Sequence, residues 1–116
     1  MLMNKIKCKP VTFGIGHRDP KSPYNRFKSS IRGGFSNIKT HEGKIEVLVK
    51  IYLLKSRSAR SDLDNYAKPI IDALHEAKVF NNESQIHRLL MEKIEVNTQE
   101  DEGVSINVNP LHKILI

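Results

Sequence analysis

Among the 116 residues there is one cysteine, Cys8, so no internal disulfide can form. That usage fits a reducing, cytoplasmic setting. No apolar run approaches the roughly 20 residues a membrane-crossing helix needs, which excludes a helical membrane protein. The opening stretch Met1-Leu2-Met3-Asn4-Lys5-Ile6-Lys7 lacks the apolar centre of a signal peptide. Lipidation patterns, internal repeats and low-complexity tracts are also missing. The length sets a single domain, residues 1–116. A chain of this size buries about two-thirds of its unfolded surface. It has little room for a deep enclosed pocket, so a site on one face, or one completed by a second subunit, is expected.

Acids are scarce in the first half. Residues 1–61 hold 14 Lys or Arg against Asp19, Glu42 and Glu46, a net +11. Residues 62–116 hold five bases against ten acids, a net −5. A basic half joined to an acidic half suggests a polyanion-binding surface beside a carboxylate site. Ordinary solvated charge is the plainer alternative.

The apolar pattern sets the elements. Residues 5–13 read as a first strand weakened by Pro10, and residues 14–25 as a loop punctuated by Gly and Pro. Residues 26–32 read as a short helix ended by Gly33 and Gly34. Residues 44–54 are the clearest strand, with Ile45, Val47, Val49, Ile51 and Leu53 on one face. Lys55 to Ser61 reads as a polar, basic loop. Residues 65–78 read as a helix with Ile70, Ile71, Leu74 and Ala77 inward. Pro69 requires that helix to begin near Lys68 or to kink. Residues 85–96 fit either period but lean to strand, and residues 103–109 read as a strand closed by Pro110. The expected fold is α+β: a small mixed sheet with one main helix packed on it.

The chemistry concentrates in Asp62-Leu63-Asp64-Asn65-Tyr66-Ala67-Lys68, followed by Asp72 and Glu83. An extended Asp62–Asp64 stretch would root both carboxylates about 6–7 Å apart on one side, with Leu63 opposite. Such a pair can share a hard cation through oxygen, and Mg²⁺ suits it because it keeps waters and accepts phosphate oxygens. Helix capping by one of the two acids is the competing use. Lys68 lies four residues after Asp64, one helical turn on, where it would support a phosphate or merely pair on the surface. Asp72, a further turn along, would orient Lys68. Asn81-Asn82 suits a turn, and a returning strand would bring Glu83 back beside the pair.

Taken together, Asp62-Leu63-Asp64-Asn65, Lys68, Asp72-Ala73-Leu74 and Glu83-Ser84-Gln85-Ile86 resemble the RusA family of crossover-junction endodeoxyribonucleases. The specific part covers residues 62–86. The resemblance implies metal ligands at Asp62, Asp64 and Glu83, holding Mg²⁺ (or Mn²⁺), and a functional lysine at Lys68. It also implies DNA contacts from Asn25 and Arg26, ahead of Phe27, with Lys55, Arg57 and Arg60 adding positive charge before the acids. Branched or four-way-junction DNA is the implied substrate, cut by paired nicks that leave 5′ phosphates, and a homodimer would supply two sites.

The sequence departs from the family pattern twice. The third ligand is Glu83 after a neutral Asn82, where two acids are usual, and the arginine run before Asp62 is diluted to Arg57-Ser58-Ala59-Arg60-Ser61. Alternatives are a branched-nucleic-acid-binding protein with weak or lost catalysis, and a structural protein whose acids only bind a cation. His87 and Arg88 are lesser candidates for the phosphate. His17, His41, His75 and His112 show no ligand spacing. Phe13-Gly14-Ile15-Gly16 is too slight a motif for a phosphate loop. Tyr24, Phe27 and Phe35 suit core packing better than base stacking.

Overall fold

The strand read over residues 44–54 forms the centre of the fold. In the computed structural model, which describes residues 5–12 and 18–111, it runs Ile45–Leu54 (β2). Every second side chain, from Ile45 to Leu53, is buried, and the alternate ones face outward. β2 pairs with Ile86–Val96 (β3) in parallel and with Gly103–Pro110 (β4) antiparallel. Ile6–Lys7 (β1) adds to the far side of β4, giving the order β1-β4-β2-β3. The ambiguous 85–96 segment is therefore a strand, and an edge strand. The short β1 corrects the strand expected over 5–13. The motif at residues 13–16, together with His17 and His112, lies outside the described residues.

A parallel pair needs a long crossover. Here it carries Lys55–Ser58 (α2), a 3-10 turn over Leu63–Tyr66, Ala67–Glu76 (α3) and a second 3-10 turn over Glu83–Gln85. The polar loop expected at 55–61 thus contains a helical turn. α3 begins at Ala67, so Pro69 falls in the first turn, where its missing N–H is unneeded. Inward positions on α3 are Ile70, Ala73 and Leu74, while Ile71 and Ala77 are half-buried.

The helical layer has a second member. Pro23–Gly34 (α1) begins earlier than the sequence suggested, because Ser22 caps it by accepting from the Asn25 N–H at 3.1 Å and Pro23 takes the first position. It also runs through Gly33 and Gly34. A Cβ on Gly34 would sit 2.7 Å from the Ile6 side chain, so the glycine lets β1 approach. Phe27 and Ile31 of α1 pack with Ile70 and Leu74 of α3 on the inward faces of β2 and β4. Lys28 and Arg32 both reach Glu76, each at 2.6 Å, tying the two helices together. Burial tends to raise the Glu76 pKa, but the hydrogen bonds and charges of Lys28 and Arg32 outweigh it and hold the carboxyl below its ordinary value. Tyr24, Phe27 and Phe35 are all buried, as core packing required.

Two further contacts close the sheet. Gly103 has no space for a Cβ, which would lie 2.3 Å from the Ile6 carbonyl oxygen where β1 crosses β4. Glu102, only 1% exposed, accepts from the Leu54 N–H and from Arg57 Nε, both at 2.9 Å. Arg57 also donates to the Pro10 carbonyl, so this buried pair pins the N-terminal segment to the end of β2.

Candidate functional site

The two acids of the Asp-x-Asp motif sit where α2 gives way to the first 3-10 turn. Asp62 is extended, at φ −88° and ψ 133°, but Leu63 already begins the turn, so the fully extended stretch expected over 62–64 is replaced by a bend. The capping alternative does not hold. Asp62 makes no side-chain cap bond, and neither does Tyr66, the residue that opens α3. Both acids are exposed, and neither carboxylate has a hydrogen bond or ion pair among the described residues.

They line one wall of an open groove of about 610 Å³, with Ser61 and Leu63 beside them. The facing wall is β3, through Leu89, Met91 and Lys93. Lys93 bonds from one wall to the other. Its ammonium donates to the Ser58 and Ser61 carbonyls, each at 2.8 Å.

Lys68 stands in the first turn of α3, paired with Asp72 one turn further on at 3.2 Å. The hydrogen bond from Lys68 to Asp72, and then the Asp72 charge, raise the lysine pKa. Slight desolvation opposes this, while the charges of Tyr24 and Glu83 add smaller upward contributions. Lys68 therefore stays an ammonium, and Glu83 lies within its electrostatic reach. The Tyr24 hydroxyl is pushed up by burial and then by the Asp72 and Glu76 charges, with Lys68 opposing.

Glu83 opens the second 3-10 turn. Asn82 caps that turn, accepting from the Ser84 N–H at 2.9 Å. Gln85 completes a capping box and does more. Its Oε1 accepts from the Asn81 and Asn82 N–H groups at 2.8 and 2.9 Å. Its Nε2 donates to the carbonyls of His41 and Gly43 at 3.0 and 2.9 Å. One neutral amide thus fixes the turn that presents Glu83. His75 is the nearest partner of Glu83, with Nδ1 4.0 Å from the carboxylate. Its ring stacks on Phe80, and Nε2 donates to the Asn81 carbonyl at 3.1 Å. In neutral imidazole that leaves the Nδ1 lone pair facing Glu83.

Asp62, Asp64, Lys68 and Glu83 thus come from consecutive pieces of one crossover. Among the described residues, no three His, Cys, Asp or Glu side chains stand close enough together to hold a metal ion. The donor chemistry nonetheless suits a hard divalent cation: oxygen only, with Asp62 and Asp64 otherwise unpartnered.

The expected DNA-contacting residues divide. Lys55 and Arg60 are exposed on and just after α2. Arg26 is exposed and shares a pocket with Lys9, Pro23, Phe27 and Ser30. Asn25 is engaged locally, donating from Nδ2 to the Asp19 carbonyl at 2.7 Å. Arg57 is committed inward to Glu102. Arg88 pairs with Glu46 at 3.2 Å, and His87 is exposed.

Sequence reasoning missed Lys93, Gln85 and His75. Gln85 was detectable as the third residue after Asn82 in a capping-box pattern. Lys93 was signalled by a charge on the apolar face of a strand, in step with Leu89 and Met91. His75 carried no spacing signal.

Two comparisons with known proteins bear on this arrangement. The sequence profile of a family described as Endodeoxyribonuclease RusA matches residues 17–109, most of the chain and all of the crossover. No curated protein matches the chain.

Proposed function

The chain belongs to the RusA family of endodeoxyribonucleases, and from that premise we propose that it is a divalent-metal-dependent, structure-selective nuclease that resolves four-way junctions by paired nicking. The observation that carries this reading is the Asp62 and Asp64 pair. Both residues line an open groove, neither caps a helix, and no cation is engaged with either among the described residues.

Asp62 and Asp64 would hold the ion from the groove, with Glu83 as the third ligand that the family resemblance implies, Mg²⁺ by preference and Mn²⁺ as a substitute. When bound, such an ion activates water and stabilises the departing 3′ oxygen. The chain's own residues do the rest. Lys68 holds the scissile phosphate with its ammonium, and Asp72 keeps that side chain aimed. Lys55, Arg60 and Arg26 track the phosphates of the junction arms, with Asn25 at the start of α1 beside them. Gln85 holds the Glu83 turn in place.

Resolution needs two cuts related by a two-fold axis, and one chain carries one such site. A homodimer supplies both. The outward face of the sheet supports this, since Leu90 is 54% exposed and Leu48, Tyr52 and Ile94 on that face are only half-buried. Among the described residues no helix is long and apolar enough to cross a membrane. A junction-acting enzyme with a free thiol at Cys8 belongs with the DNA in a reducing, cytoplasmic compartment.

The test is a synthetic four-way junction incubated with the protein, with and without Mg²⁺. Symmetric, metal-dependent nicks bearing 5′ phosphates support the proposal. Binding without cleavage at any metal concentration selects the binding-protein alternative instead.

A further inference from the structure

Resting on the reading of Asp62 as a metal ligand, we infer that Lys93 is the positioning residue for that ligand. Lys93 lies on edge strand β3, in register with the buried Ile51, so its stem runs along the helix-facing side of the sheet. A half-buried ammonium there needs acceptors. It finds the Ser58 and Ser61 carbonyls, each at 2.8 Å. These acceptors are the last residue of α2 and the residue directly before Asp62.

The peptide unit is planar, so fixing the Ser61 carbonyl also fixes the Asp62 N–H and the direction in which Asp62 leaves the loop. Asp64 follows through the 3-10 turn over Leu63–Tyr66. The groove has two walls, the Ser61–Asp64 stretch and the Leu89, Met91 and Lys93 side chains, and Lys93 bonds across from one to the other. No hydrogen bond or ion pair joins Lys93 to either carboxylate. Its influence on a metal is therefore through the backbone.

Charge and geometry make opposite predictions for Lys93→Met. As a neighbouring positive charge alone, its removal would strengthen cation binding. As a positioning residue, its removal weakens cation binding, by about tenfold for a supporting group of this kind.

The experiment uses the full chain without DNA. Mn²⁺ is titrated and free ion is followed by electron paramagnetic resonance. Amide hydrogen exchange is read over residues 58–64 in the metal-free protein. The inference expects faster exchange at Ser61 to Asp64 in Lys93→Met, and about tenfold weaker Mn²⁺ binding. Lys93→Arg keeps the charge and two donors, and should recover most of the loss. If Lys93→Met folds poorly, Lys93→Gln, which keeps an N–H donor without the charge, takes its place with a smaller loss in the same direction. Unchanged or tighter Mn²⁺ binding in these variants, with the parent binding normally, overturns the inference alone. A parent that binds no Mn²⁺, or one whose binding survives Asp62→Asn, overturns the reading of the site and this inference with it.

Discussion

Arg57→Ala should damage the fold far more than the DNA contact. The arginine looked like part of a phosphate-binding run, but its guanidinium lies against Glu102, whose side chain is 1% exposed. Glu102 Oε1 already has no partner among the described residues, and Oε2 would keep only the Leu54 N–H. Removing one member of a buried pair strands the other charge, at about 3–5 kcal/mol. Arg57 is itself 26% exposed, so water softens the loss toward the lower end, about 3 kcal/mol. For a domain of this size that lowers Tm by roughly 12 °C. The Pro10 contact is lost as well, so β1 should loosen first. Arg57→Met combined with Glu102→Leu removes both charges and should return to within about 1 kcal/mol of the parent. The assay is urea unfolding of the single and double variants, beside junction binding over a salt series. Arg60→Ala should reduce the salt slope by about 0.9, one phosphate's worth, while Arg57→Ala leaves it unchanged at temperatures where the protein is folded. If Arg57→Ala is as stable as the parent and flattens the salt slope, the buried-pair account is refuted.

Other consequences can be read from stability and reactivity. Burial, followed by the charge of Glu102, pushes the Cys8 thiol up to about 12, so it should react with iodoacetamide at pH 8 far more slowly than a free thiol, and at the ordinary rate in denaturant. Lys78 ends α3 with φ at 61°, a left-handed position that favours glycine, so Lys78→Gly should add about 1 kcal/mol by urea midpoint. Glu76 has a folded pKa below its unfolded 4.5, so its stabilising effect is present above pH 4.5 and is lost as pH falls through the folded value. Solvent screening limits that effect to about 1 kcal/mol, and Glu76→Gln should remove this part of the acid arm of the stability curve.

The strands Ile45–Leu54 and Gly103–Pro110 were legible because a period of two admits few other readings when Ile, Val and Leu supply it, whereas Ile86–Val96, an edge strand without that alternation, fitted a helical period as well. The start of α1 was missed because Pro20, Pro23 and nearby glycines read as loop, although Ser22-Pro23 is also a cap followed by a first-turn proline. Gly33 and Gly34 read as a stop signal, whereas Gly34 stays helical beneath Ile6, a contact invisible in local sequence. The Asp-x-Asp motif and its spacing to Lys68, Asp72 and Glu83 were visible along the chain. The residues that hold those pieces in place were not. Lys93 bonds across 32 and 35 positions, Gln85 across 42 and 44, and Arg57 finds Glu102 45 residues away. Such partners are set by strand register, and no local pattern encodes register between β2 and β3.

The most direct test of the account is Asp64→Asn on a labelled four-way junction, binding and cleavage measured on one gel series. The substitution keeps size and shape and removes one charge from a carboxylate that caps nothing, so the fold should stand. Junction affinity should hold or rise, because a negative charge beside phosphate is gone. Cleavage in Mg²⁺ should fall by orders of magnitude, since a bound ion contributes several kcal/mol to the transition state. Undiminished cleavage by Asp64→Asn would contradict the account.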